Sequence, residues 1–255
     1  MFFAAGRYNI RCNMQFSDEG YIINLLRHGE NSLIVTVLSS LHGKVAGYVS
    51  GALSKKKLGI YQLGNAISFN AYARLEENLA QFRGVELSAP HAVSFMQNED
   101  KLAVLSCFCE LMNICLPEKE ELEFLGFYVK DFMNSLESTD WLTKYAFIEY
   151  HLLDFLGIGL DLSECAATGT TQNLEFVSPK SGKAVCLEAG LPYKDKLYKF
   201  PHFIVDKNYK ASREEVAELL EMTAFFLNKN FFQLHGLKFP NNRANLPHIL
   251  NFLKD

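Results

Sequence analysis

The sequence predicts an α+β fold in which a β domain precedes a helical one, and three observations predict it. From Gly20 to Leu87 the residues run in short stretches rich in β-branched and aromatic side chains, broken by Gly and Asn turns. After Pro90 the apolar period becomes helical, and between 158 and 205 periodicity gives way to Gly, Ser, Thr, Pro and Lys. The chain has 255 residues of which 49% are hydrophobic, with 21 Phe, enough apolar material for a large core and against a disordered chain.

Five strands are expected: Tyr21 to Arg27, Leu33 to Ser39, Lys44 to Val49, Ala66 to Tyr72 and Leu79 to Leu87. His28, Gly29, Glu30 and Asn31 make a polar turn between the first two, and Leu41, His42 and Gly43 a tight one between the second and third. Five strands in so small a domain fit an oligonucleotide-binding (OB) barrel, and a sandwich-like β domain has the same spacing. Residues 14–90 form this domain, with residues 1–13 as a loose extension before Met14, a second candidate start.

Residues 91–255 are expected to form the helical domain, with an irregular insert at 158–205. Amphipathic segments run from Glu99 to Leu116, Lys119 to Leu136 and Asp140 to Leu156. Pro117 separates the first two, Asp140 is a candidate N-cap and Gly157 a C-cap. Ser212 and Glu215 have the spacing of a capping box that opens a helix to about Leu234, and Leu246 to Lys254 supplies a short last one.

Charge is unevenly spread. Residues 1–90 hold nine Lys and Arg against six Asp and Glu, a balance of +3, and the remaining residues hold 16 against 23, a balance of -7. Six scattered cysteines suit reduced thiols in the cytoplasm, and no apolar stretch reaches signal-peptide or membrane-span length.

The basic front end carries the candidate binding residues. Lys55, Lys56 and Lys57 lie between Gly51 and Gly59 on a segment able to reach phosphates, with Tyr48 and Tyr61 flanking them. Arg27, Lys44, Arg74 and Arg83 come from neighbouring strands. Cations interleaved with aromatics are what single-strand binding needs, because cations follow the backbone while bases stack. A solvated loop and tyrosines packed into the barrel are the competing reading.

The segment DEGYIINLLRHGENSLIVTVLSSLHGKVAGYVSGALSKKK, Asp18 to Lys57, resembles the opening strands of the bacterial RecO recombination mediators, including their Arg-x-Gly-Glu and His-Gly-Lys turns. CAATGTTQNLEFVSPKSGKAV at Cys165 to Val185 and EAGLPYKDKL at Glu188 to Leu197 resemble the same family. The resemblance implies a nucleoid-associated DNA repair protein that binds single- and double-stranded DNA and anneals complementary strands. It also implies work with RecR, docking of the C-terminal tail of single-strand-binding protein and, indirectly, help in loading RecA. Some relatives carry a zinc-ribbon-like insert with two Cys-x-x-Cys pairs. Here Thr168 and Ala189 stand at the second position of each pair, leaving Cys165 and Cys186 as remnants of an incomplete site, so no metal or other cofactor is expected.

Readings from other classes are weaker. Gly157-Ile158-Gly159 lacks the third Gly of a dinucleotide fingerprint and follows a helix, no phosphate loop is present, and Cys107, Cys109 and Cys115 sit in an apolar helical pattern, so catalysis is not expected. Glu76-Glu77 reads as a turn, and Glu118, Glu120, Glu121 and Glu123 as an acidic helix start. An adaptor whose acidic helices dock repair partners is the alternative. Lys130 and Lys144, amid Phe127, Tyr128, Phe132, Tyr145 and Phe147, are the candidate rim for an acidic, apolar tail.

Overall fold

The computed structural model describes residues 14–74, 79–206 and 208–251; the expected extension 1–13, the Glu76-Glu77 turn and residues 252–254 of the last expected helix lie outside them. Strands β1 (Met14–His28), β2 (Ser32–Ser39), β3 (Gly43–Val49), β4 (Ala66–Ala73) and β5 (Ala80–Ala89) close into a barrel in the order β1-β2-β3-β5-β4. β4 returns to β1 antiparallel, and β3 meets β5 parallel. This is the OB barrel, and closure decides against a sandwich.

Alternation along the strands builds the barrel core, because successive side chains point to opposite faces. Val35 and Val37 of β2, Val45 and Val49 of β3, Ile67, Phe69 and Ala71 of β4, and Phe82 of β5 are all buried in it. The Phe82 ring occupies the space over Gly47, where a Cβ would come within 2.2 Å of it. Asp18 ties the β2–β3 turn to β1. Its carboxylate accepts from Ser39 Oγ and from the amides of Glu19 (2.8 Å) and Leu41 (3.1 Å), and His42 Nδ1 lies 2.9 Å away.

Burial alone would raise the Asp18 carboxyl, but His42, Ser39 and the two amides outweigh it and hold its pKa below the usual value. A depressed carboxyl contributes stability above its unfolded pKa, about 3.9, and that stability is lost as pH falls through the folded value. Asp18→Asn is therefore expected to melt below the wild type at pH 7, with the gap narrowing below about pH 4. A gap that stays constant down to pH 2.5 would contradict this origin.

Two compact units are present, and the first is not the barrel alone: Met112–Leu122 belongs with the barrel strands and the start of the chain's next helix, up to Val93. That segment lies along β3. Lys119 N–H donates to the Lys44 carbonyl at 2.9 Å, and a Cβ on Gly43, whose φ is +65°, would strike the Glu120 carbonyl oxygen. Lys119 itself has φ +59°, a left-handed turn that stops a helix from starting there. The third helix accordingly begins at Glu123, and Glu118, Glu120 and Glu121 precede it rather than open it.

The chain continues through α1 (His91–Met96), α2 (Glu99–Cys115), α3 (Glu123–Asn134) and α4 (Trp141–Phe155). Asp140 stands at the N-cap of α4, but its side chain makes no cap bond and instead accepts from Ser138. Gly157, at φ +71°, ends the helix as expected: its N–H donates to Asp154 and that of Ile158 to Leu153, a Schellman closure. The insert, expected to be irregular, holds a small antiparallel sheet of β6 (Leu174–Val177), β7 (Ala184–Cys186) and, after α5 (Leu187–Gly190), β8 (Tyr198–Lys199).

After α6 (His202–Val205), α7 (Arg213–Leu227) opens on the expected capping box, with Glu215 N–H to Ser212 Oγ at 3.2 Å and Ser212 N–H to Glu215 Oε2 at 2.8 Å. It widens into a π-turn over Asn228–Phe232. The last helix, α8 (Asn241–Asn251), starts five residues before the expected Leu246. α8 is pinned through Arg243, whose guanidinium meets the wholly buried carboxylate of Glu149 on α4. No helix among the described residues is long and apolar enough to cross a membrane.

Candidate nucleic-acid interface

The β3–β4 loop presents Lys55, Lys56 and Lys57 to solvent, and all three are exposed. Its base is fixed. Ala52 and Tyr61 are buried in the barrel core, Leu53 N–H donates to the Asn31 carbonyl at 3.2 Å, and the buried Asn65 amide donates to the Gly59 and Ile60 carbonyls. Tyr61 is thus a packing residue, only 5% exposed, and its hydroxyl pKa is raised by burial. It is not brought to the surface with the lysines, and of the two expected tyrosines only Tyr48 is.

The contact with Asn31 seats the lysine loop on the β1–β2 turn. Arg27 folds over that turn, donating to the Gly29 and Glu30 carbonyls at 3.3 Å each, and remains exposed. Tyr48 stands beside it: its hydroxyl lies 2.9 Å from Ser32 Oγ, and its ring meets His28 edge-on at 5.6 Å. Across the barrel seam Tyr48 is the ladder partner of Gln81, and Gln81 that of Tyr72. Gln81 Oε1 in turn accepts from Arg83, so a continuous path leads from the lysine loop past Tyr48 to Arg83. Arg74 is exposed at the end of β4.

Lys44 departs from this surface. Strand alternation points it outward, but the segment 112–122 covers it, leaving it 9% exposed with its ammonium 2.7 Å from the Asn113 carbonyl. Burial lowers its pKa, against the opposing pull of Glu118 and Cys115. A cation so enclosed is not placed to meet a phosphate, and the expectation attached to Lys44 is corrected on that ground.

In the helical unit Phe132 and Tyr145 are fully buried, whereas Phe124 and Phe127 are 43% and 68% exposed on α3. Tyr128 stacks on His151 at 3.9 Å. Lys130 is exposed one turn beyond Phe127. Lys144 is otherwise engaged, with its ammonium 2.8 and 2.9 Å from the two Asp131 oxygens and 3.7 Å from Asp140, and so does not join Lys130 as a free rim cation.

Cys165 and Cys186 come together in the insert, both buried, with Cys186 N–H donating to Cys165 Sγ at 3.2 Å and Thr168 Oγ1 3.7 Å from Cys186 Sγ. Burial would raise the Cys165 thiol, but the hydroxyl of Thr168 and the amides of Cys186, Ala167 and Thr168 bring its pKa down to about 6. Among the described residues no group of three or more His, Cys, Asp or Glu is placed to hold a metal. Thermal unfolding is expected to be the same with and without a strong chelator; a lowered melting temperature in chelator would contradict a metal-free insert.

Tyr72 and Gln81 were not among the sequence candidates, although alternation sets both on the outward side of strands whose inward residues are plainly apolar. Comparison with known proteins covers most of the chain. The family model for the recombination protein O N terminal matches residues 14–91, and that for its C terminal residues 96–235. A DNA repair protein RecO of Bartonella quintana is 34% identical over 91% of this chain and 96% of its own length. Proteins of the same description from Sinorhizobium medicae and Rhodospirillum centenum are 33% and 34% identical, over 92% and 91% of this chain and 94% and 92% of theirs.

Proposed function

The chain belongs to the RecO family of DNA repair proteins, and from that premise we propose that its role in repair and recombination is to bind DNA through the barrel and to anneal complementary strands. The observation that carries this is the loop of Lys55, Lys56 and Lys57, tied at its base by hydrogen bonds and seated on the Arg27 turn beside Tyr48. Three uncommitted ammonium groups on a fixed loop neutralise successive phosphates and release their counterions, which supplies affinity without reading sequence. Annealing then needs only lowered repulsion between two strands and a surface that holds them, so the protein acts as a binding mediator and not as an enzyme.

In this reading the helical unit serves partners. Phe124 and Phe127 with Lys130 offer exposed aromatic surface and one free cation, the chemistry that an acidic, apolar tail of single-strand-binding protein requires. RecR is the further partner through which RecA gains access to coated strands. The alternative, an adaptor with only a minor DNA role, keeps the helical surface and gives up the barrel's. Pure protein is expected to accelerate pairing of two complementary labelled oligonucleotides without nucleotide or metal. A requirement for ATP, or no acceleration at a concentration that saturates single strands, would overturn the proposal.

A further inference from the structure

We propose that Tyr72, Gln81 and Arg83 form a base-stacking subsite for single-stranded nucleic acid on the outer face of β4 and β5. The proposal rests on the DNA-binding reading above and adds where bases, as distinct from phosphates, are held.

The subsite follows from the ladder. Gln15, Tyr72 and Gln81 are neighbours in one row across β1, β4 and β5, with Ser17, Asn70 and Arg83 in the next. All six lie on the outward side, since Phe16, Ala71 and Phe82 between them pack against or within the core. Arg83 does not wave in solvent. Its Nε and Nη2 lie 3.0 and 2.6 Å from Gln81 Oε1, and its guanidinium carbon sits 5.2 Å from the centre of the Tyr72 ring. Gly84, at φ +57°, makes the β5 bulge that sets this aim, and a Cβ there would come within 2.9 Å of Asn70 Nδ2. Asn70 is in turn held by Ser17 Oγ at 2.6 Å.

Such an arrangement favours a base. The guanidinium is planar, with Tyr72 beneath it and its outer side exposed, so a base completes a stack of three layers. The atom that orients Arg83 is a neutral amide oxygen, which leaves the positive charge uncancelled for a neighbouring phosphate. Farther along the same face Glu19 and Glu86 both pair with Ser68, and these carboxylates repel a phosphate backbone. The strand is thereby directed the other way, toward Tyr48 and the Arg27 turn. Bases of a duplex are already stacked on one another, so the subsite selects single strands.

The test uses the full chain and fluorescence anisotropy with two oligonucleotides of equal length, one of thymidines and one wholly abasic. Arg83→Lys keeps the charge and removes the plane; Tyr72→Leu removes the platform, and Tyr72→Phe keeps it. On the thymidine strand Arg83→Lys and Tyr72→Leu are expected to bind about tenfold more weakly, and Tyr72→Phe like the wild type. On the abasic strand all variants should match the wild type within about twofold. Melting curves identify any Tyr72→Leu protein that has lost its fold, and Arg83→Lys then decides alone. Arg83→Lys equal to the wild type on thymidines, or weakened equally on both strands, overturns the subsite while leaving DNA binding in place. A wild type that binds neither strand overturns the DNA-binding reading itself.

Discussion

Replacing Arg243 by alanine is expected to cost the helical unit about 3–5 kcal/mol of stability, because it strips a buried carboxylate of its counter-charge. Arg243 and Glu149 are both wholly buried, with Nε 2.5 Å from Oε1 and Nη2 2.7 Å from Oε2. Nη2 also donates to the Leu220 carbonyl, and Glu149 further accepts from Tyr145 and from Thr223 Oγ1 at 2.6 Å. The pair therefore joins α4, α7 and α8 through charge-assisted bonds whose removal from one side leaves the other uncompensated. Replacing both partners by apolar residues, Arg243→Met with Glu149→Leu, is expected to cost less than either single change, since no charge is then left buried. Urea unfolding of the wild type, Arg243→Ala, Arg243→Met, Glu149→Leu and the double variant measures both effects. A loss below about 1 kcal/mol in Arg243→Ala would contradict a buried pair.

The triple change Lys55→Ala, Lys56→Ala and Lys57→Ala is expected to alter binding and spare the fold. If all three ammonium groups neutralise single-strand phosphates, the plot of log affinity against log salt should flatten by roughly 0.7 per contact, about 2 units in all. The loop's shape depends on Ala52, Tyr61 and Asn65, not on the lysine side chains, so stability should change by no more than about 0.5 kcal/mol per site. A salt titration of oligonucleotide binding, with circular dichroism on both proteins, separates the two effects. An unchanged slope in a folded triple variant would make the loop merely solvated and move the phosphate contacts to Arg27, Arg74 and Arg83.

What was legible in the sequence had local causes. Stretches of β-branched and aromatic residues between Gly and Asn turns located all five barrel strands, although β1 begins at Met14, seven residues before the expected Tyr21, and local bonding chemistry located the Ser212 capping box and the Gly157 helix end. What was not legible depended on which neighbours the folded chain brings to a side chain, or on elements too short to show a period. Lys44 points outward as alternation requires, yet Asn113, 69 positions away, takes its ammonium. Lys144 reads as a free cation until Asp131 and Asp140 are folded against it. For Tyr61 the sequence left base stacking and barrel packing both open, and the loop turns it inward to close the barrel core. The insert's strands are two to four residues long, too short for any period to register. Tyr72 could have been found, since it is an aromatic at an outward position two residues from Arg74 on a strand already recognised.

In this reading the barrel, and not the helical unit, carries the DNA. Hydrogen exchange of the full chain, alone and saturated with a single-stranded oligonucleotide, tests it directly, because amides covered by a ligand exchange more slowly. Protection is expected in peptides covering the 51–61 loop, the β1–β2 turn and β5. Protection confined to 94–111 and 123–251, with the barrel peptides unchanged, would contradict the account and leave the adaptor in its place.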